Sequence, residues 1–499
     1  MAKSMSCTPM GWGPIFSGFD RAVSKVINRF EAYLRWRGVV PLLIILFWAC
    51  AVLPNLTVRS FIWEEGTNAE IARDVLAHGH FIEPFVYGIR WHEKPSLLPW
   101  LIAGVAALTG RVDEWSVRLP GMISVLLTAL LVQRTTRRYA TLHASLFSAL
   151  SFLFCPLLLQ KLTHAEPDTV ITLLSFAALL VWWNGMAAAR ISILRWIGCG
   201  CLLAILSMAK GPQPTGFFAL GVAAYLIIER RWRDVPGWFL CMTLPLAATI
   251  AWGAAVYQPG DEATWLAYAR LSSQPLHGYI ARNIYITVVM IIEMLPATML
   301  LPFVPWPWRR NRPASSVPSI IAPLSLYSGV CTAALVLWPG FSSRYAMPIA
   351  PSLAVLAGIG WDTLKKSKYS IFQRVAGSLL CLFITYQFVL VTVIMPMFSD
   401  RFGSTRNDAS AIEQAIRTAP APIFCFYRDN QLFYLRVPFR CLNLFAGAPS
   451  LAESASLTPP AWLIIPHSLV SEFAQLRPDL NVTVAVETTD LTATRVDKK

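Results

Sequence analysis

An all-α protein that crosses a membrane many times, followed by a small α/β domain, is the fold class this sequence predicts. Three observations carry that prediction. Of the 499 residues, 55% are hydrophobic and 14% charged, with a mean hydropathy of +0.52, whereas soluble domains carry roughly 25% charged residues. Stretches such as VVPLLIILFWACAVL, LLSFAALLVWW and LCLFITYQFVLVTVIMPMF approach or reach the roughly 20 apolar residues that cross a bilayer core as helix. After residue 396 the composition turns polar and the apolar residues shorten into strand-length runs.

Taken in order, residues 1–37 form a basic segment in which Phe16, Val23, Val26, Ile27, Phe30 and Leu34 recur at helical spacing between Arg21, Lys25 and Arg29. An interfacial helix on the cytoplasmic surface is expected there, not a cleaved signal. Spans are expected at 38–57, 116–133, 141–160, 169–187, 196–210, 213–229, 236–257, 284–306, 318–337, 346–361 and 372–396, about eleven in all. The net charge of +14 falls in clusters between them: Arg134/Arg137/Arg138, Arg190/Arg195, Arg230/Arg231/Arg233, Arg309/Arg310/Arg312 and Lys365/Lys366/Lys368. With the N-terminal segment these share one side, which the positive-inside rule makes the cytoplasm. The charge therefore reads as topology and not as a nucleic-acid surface.

SLLPWLIAGVAALTG, residues 96–110, is short for a span, and a crossing there would invert every later cluster. It is laid along the outer surface, which leaves 58–115 as one long outer loop. That face collects the scattered groups Glu64, Glu65, Glu70, Glu83, Glu93, Lys94, Glu166, Asp168, Lys210, Arg270, His277 and Arg344. In the tail, 397–499, DASAIEQAIR reads as helix, and PIFCFYR, LFYLRVPF, AWLIIP and NVTVAVET read as strands. Seven of the ten cysteines lie in apolar runs as small hydrophobes, and no Cys/His spacing resembles a zinc site. Cys425 and Cys441 could pair in an oxidising compartment or stay as buried thiols. Asn55-Leu-Thr and Asn481-Val-Thr match the glycosylation sequon.

EEGTNAEIARDVLAHGHFIEPFVYGIRWHEKPSLLPWLIA, then HAEPD, AKGP and RYAMPIAP, follow one another over residues 40–360. In order and spacing they resemble the GT-C fold glycosyltransferases that use polyprenyl-phosphate sugars, above all the lipid A aminoarabinose transferases and the protein-mannosyltransferase-like superfamily. The resemblance implies juxtamembrane helices in the first outer loop. It also implies inverting transfer of a sugar from a polyprenyl-phosphate donor to a lipid or protein acceptor at the outer face. A bacterial inner membrane, with catalytic loops and C-terminal domain in the periplasm, is the expected location.

For the residues, the resemblance implies an acidic catalytic pair at Glu64 and Glu65, with Glu64 at a position usually held by Asp. A carboxylate there takes the acceptor proton as general base; the plainer reading is two acids at the positive end of a helix. Asp168 is a further catalytic acid or a helix N-cap. Lys94, Arg344 and Lys210 are expected at the donor phosphate, where negative charge develops on the leaving group, against anchoring or structural pairing. Glu93 and His277 are candidate ligands for a divalent metal ion, otherwise an interfacial acid and a loop histidine. A multi-span transporter or flippase of lipid-linked sugars, or an inactive GT-C scaffold, is the alternative. Transporters place ionisable groups near the midplane, and here the expected span centres are nearly free of charge.

Overall fold

The computed structural model describes residues 38–186, 190–262, 265, 276–305, 320–338, 342–364, 369–426, 430–443 and 457–499, with the side chains of 276–278 excluded. The expected N-terminal helix, the Arg309 and Lys365 clusters, and Arg270 fall outside these residues.

Each expected span contains a helix. They are α1 (Val39–Val52), α4 (Glu114–Arg137), α5 (Leu142–Leu153) with the short α6 (Pro156–Leu159), α7 (Asp168–Trp183), α8 (Ile193–Lys210), α9 (Thr215–Ile228), α10 (Val235–Val256), α11 (Leu276–Glu293) with α12 (Ala297–Leu300), α13 (Ile321–Val336), α14 (Ala350–Leu364) and α15 (Ser370–Val389). Among the described residues five helices are long and apolar enough to cross a membrane alone, six when α11 and α12 count as one broken span. The span expected over 284–306 falls on that last pair. The axis bends by 89° at Pro296, where the helix lacks an N–H to continue its ladder.

The first outer loop holds two further helices, α2 (Glu65–His78) and α3 (Leu97–Thr109), separated by a two-strand ribbon, β1 (Phe85–Val86) and β2 (Ile89–Arg90). Both helices stop on glycine in the left-handed conformation, Gly79 at φ 76° and Gly110 at φ 81°, the ending that residues with a Cβ resist. α3 and α4 meet at a capping box, in which the Asp113 carboxylate accepts from Ser116 N–H at 3.0 Å and Ser116 Oγ accepts from Asp113 N–H at 2.8 Å.

Polar contacts gather at opposite ends of the bundle. At one end Arg138 donates to Asn184 at 2.7 Å, Arg231 donates to the Met186 carbonyl at 3.1 Å, and Ile191 N–H donates to Asp234 at 2.9 Å. At the other end lie α2, the loop before α7, the end of α8 and a 3-10 turn over Ser343–Ile349. The span centres between are apolar and close-packed around Ile44, Val125, Phe152, Phe176, Leu203, Tyr327 and Val355.

The last helical segment widens into a π turn over Leu390–Ile394, where the Asn55 side-chain amide donates to the Val391 carbonyl at 2.8 Å. Beyond it come α16 (Ser404–Arg417), β3 (Ile423–Phe426), α17 (Asn430–Tyr434), β4 (Arg440–Asn443), β5 (Ala461–Pro466), α18 (His467–Leu476), β6 (Leu480–Glu487) and β7 (Leu491–Lys498). The five strands form one mixed sheet in the order β4-β3-β5-β7-β6. Two expectations are corrected here. LFYLRVPF is not a strand: its first residues finish α17, which packs against α2, and the strand begins only at Arg440. β7, unforeseen, pairs antiparallel with both β5 and β6. Cys425 and Cys441 are register partners across β3 and β4, and both are buried free thiols.

Candidate functional site

The adjacent acids of the first outer loop part company. Glu65 is the first residue of α2 and its side chain is wholly buried. Arg59 donates to it at 2.9 and 3.3 Å, Arg118 at 3.0 and 3.2 Å, Ile62 N–H at 3.0 Å and Ala165 N–H at 3.1 Å. Arg118, also fully buried, donates besides to the Leu56 and Ser60 carbonyls at 2.6 and 3.1 Å. Burial alone would push the Glu65 carboxyl up, but the Arg118 and Arg59 guanidiniums outweigh it and hold the carboxyl down at about 2. Beside them His164 is pushed down to about 3 by burial and then by Arg59, and so stands neutral.

Glu64 is the N-cap residue of α2, with its side chain 40% exposed and paired with the Lys94 ammonium from the HEKP turn. Its carbonyl accepts the first helical hydrogen bond, from Asn68 N–H at 3.0 Å. The loop before α7 adds Glu166, held by Lys161 at 2.7 and 2.8 Å and approached by Arg344 at 3.8 Å. Asp168 opens α7 behind Pro167 without capping it; its carboxylate instead accepts from Lys210 at 3.3 Å. Tyr345 lies under both cations, 4.5 Å from Lys210 Nζ and 5.4 Å from the Arg344 guanidinium carbon.

Two cavities flank the Glu64–Lys94 pair. One, of about 470 Å³, is polar and is lined by Glu64, Lys161, His164, Glu166, Ser343 and Arg344. The other, of about 700 Å³, is lined by Glu93, Lys94 and Lys210 together with Ile250, Trp252 and Tyr257. An anionic head between the lysines and an apolar tail along α10 would both be accommodated. Of the residues expected from sequence, Glu64, Lys94, Lys210, Arg344 and Glu93 line these cavities, and Asp168 is tied to one through Lys210. Glu65 is not brought there, because its oxygens are spent inside the arginine cluster. The His277 side chain lies outside the described residues, so its pairing with Glu93 does too. Among the described residues a different trio, Asp74, His78 and His80, brings possible ligand atoms within 4.8 Å of one another at the far end of α2.

Lys161, His164 and the paired arginines were not singled out from sequence. Lys161 sits five residues before Glu166 in QKLTHAEPD, a spacing that could have drawn attention. Arg118 is a lone charge at the mouth of an apolar run, and such a charge marks either a partner or a site.

A family model described as dolichyl-phosphate-mannose-protein mannosyltransferase matches residues 93–253. The undecaprenyl phosphate-alpha-4-amino-4-deoxy-L-arabinose arabinosyl transferase of Erwinia tasmaniensis is 31% identical over 202 residues, 39% of this chain and 36% of that protein. The enzyme of the same name from Pseudomonas aeruginosa strain UCBPP-PA14 is 25% identical over 329 residues, 64% of this chain and 58% of that one. The chain thus spans between about a third and three-fifths of the length of these curated relatives. Among solved structures, apo ArnT from Cupriavidus metallidurans superposes with a TM-score of 0.67 at 16% identity, covering 93% of this chain and 98% of that one. Its form bound to undecaprenyl phosphate gives 0.66. In fold and in sequence the chain is similar to the GT-C glycosyltransferases that work with polyprenyl-phosphate sugars, its relatives being the aminoarabinose transferases and the mannosyltransferase family.

Proposed function

We propose that the chain is an integral membrane glycosyltransferase that moves a sugar from an undecaprenyl-phosphate-type donor to a lipid acceptor of the lipid A class. The observation that carries this reading is the Glu64–Lys94 pair standing between a cation-lined polar cavity and an apolar one. The relatives' activity, transfer of aminoarabinose carried on undecaprenyl phosphate, supports the donor class.

In this reading the isoprenoid tail lies along Ile250 and Trp252, and its phosphate reaches Lys94 and Lys210. A phosphate that draws Lys94 to itself takes that cation off the Glu64 carboxylate, so donor binding itself readies the base. An acceptor oxygen in the polar cavity attacks the anomeric carbon, the bond from that carbon to the phosphate oxygen breaks, the acceptor proton passes to Glu64, and polyprenyl phosphate leaves. Attack opposite the departing phosphate inverts the anomeric centre. Lys94, Lys210 and Arg344 stabilise the charge that grows on the phosphate. Asp168 holds Lys210 in place, and Glu65 holds the start of α2. A divalent metal at Glu93 and His277 would add charge at the phosphate, and no step above depends on it.

The eleven helical segments cross a bacterial inner membrane with residues 1–37 in the cytoplasm, 38–396 as the transferase and 397–499 as a periplasmic α/β domain. Transfer of labelled sugar from a synthetic polyprenyl-phosphate donor into extracted lipid tests the reading. Transfer by the parent that is lost in Glu64→Gln and in Lys94→Ala is the expected result. Parental rates in both variants would remove the site assignment, and movement of donor across vesicles without transfer would favour a flippase.

A further inference from the structure

The backbone around Glu64 is held from the C-terminal region. Ser60 N–H donates to the Phe402 carbonyl at 2.8 Å, and Ser60 Oγ accepts from Arg406 N–H at 3.2 Å. Phe61 N–H donates to the Tyr434 hydroxyl at 2.8 Å, and that hydroxyl donates to Glu114 at 2.9 Å. The Phe61 ring lies 4.8 Å from Phe433 and 5.4 Å from Tyr434.

Asn430, the first residue of α17, completes the hold. Its Nδ2 donates to the Trp63 carbonyl at 3.2 Å and its Oδ1 accepts from Gly66 N–H at 2.9 Å. One amide therefore grips the chain on both sides of Glu64 and Glu65. Two backbone features show that the fit is close. Trp63 sits at φ 58°, a conformation that a bulky residue keeps only where its surroundings impose it. A Cβ on Gly66 would stand 2.5 Å from Asn430 Oδ1 and 3.2 Å from its Cα, so only glycine lets α17 come this near.

We propose that Asn430 is a positioning residue for the transfer reaction: a clamp, supplied by the C-terminal region, that fixes the Trp63–Gly66 turn and so aims the Glu64 carboxylate into the polar cavity. The inference rests on the reading of Glu64 as base. Asn430 lines neither cavity, so it acts through the geometry of Glu64 and not through donor binding. Misplacement of a reacting group by about 1 Å costs up to about a hundredfold in rate.

The test uses the full chain in lipid nanodiscs. Asn430→Ala is expected to lower kcat by about tenfold to a hundredfold while the KM for donor and the thermal midpoint stay near parental. Asn430→Asp, which keeps the acceptor for Gly66 N–H and loses the donor to Trp63, is expected to fall between. Gly66→Ala is expected to lose rate as well, and the double variant Gly66→Ala with Asn430→Ala to be no slower than the slower single, since both break one contact. Amide exchange at Gly66, read by mass spectrometry, is expected to quicken in Asn430→Ala. Parental kcat in Asn430→Ala, or losses that multiply in the double variant, would overturn the proposal. If the parent transfers no sugar, the reading of function fails by itself and exchange judges the clamp: unchanged protection at Gly66 overturns it, and faster exchange upholds it.

Discussion

Glu64 and Glu65 share a peptide bond and almost nothing else. Around Glu65 the protein has built a dry, fully satisfied cluster in which six N–H donors converge on one carboxylate. Around Glu64, which pairs with Lys94, it has left a cavity wall with room for a second molecule. A buried charge with every lone pair engaged can support a fold but offers no face to a reacting molecule; a half-exposed one on a cavity wall does. The contrast teaches that within an acidic pair the residue with the more extensive bonding is the less suited to chemistry.

Glu65→Gln is expected to have the largest effect. It leaves Arg118 and Arg59 buried without their counter-charge, which costs about 3–5 kcal/mol, and the expected outcome is loss of folded protein by size-exclusion chromatography in detergent. Glu64→Gln should do the reverse, keeping the thermal midpoint and lowering kcat by about 10²–10⁴-fold in the labelled-sugar assay. Lys94→Ala and Lys210→Ala come next: each is expected to raise the donor KM, with Lys94→Ala lowering kcat as well because its charge faces the leaving phosphate.

The smallest effect concerns pH. His164 titrates near 3 in the folded chain against 6.5 for a free imidazole, so below pH 6.5 the unfolded chain binds the proton that the folded one refuses. Stability therefore falls as pH drops from 6.5 towards 3. Glu65, held down at about 2, adds its own loss once pH falls below the ordinary carboxylate range near 4.5. A His164→Gln variant should show a flatter decline in thermal midpoint between pH 6.5 and 5, while retaining the steeper loss below.

How much of this was legible in the sequence follows from the range of the forces involved. The apolar runs gave the helices because burial in a bilayer is decided by composition over a window. Gly79, Gly110 and the Asp113–Ser116 box set helix ends through contacts within four residues. The motifs HEKP, HAEPD, AKGP and SRYAMP held the cavity cations and acids, although only the fold shows that Lys94 faces Glu64 across 30 positions. The separate fates of Glu64 and Glu65 were not legible, because they turn on Arg118, 53 residues away, and on where α2 begins. The error at LFYLRVPF has the same origin. Alternating apolar residues suit a strand, but Phe433 and Tyr434 are drawn into packing on Phe61, and tertiary contact overrides local preference.

The π turn at Leu390–Ile394 bears on how the chain would be decorated in a eukaryotic host. Its Val391 carbonyl has captured the very nitrogen of Asn55 to which an oligosaccharide would be joined, while Asn481 stands exposed on β6. Heterologous product made through a secretory route should thus run as a species carrying one glycan, not two, and a shift that vanishes in Asn481→Gln would trace it to the sheet and leave the membrane end bare.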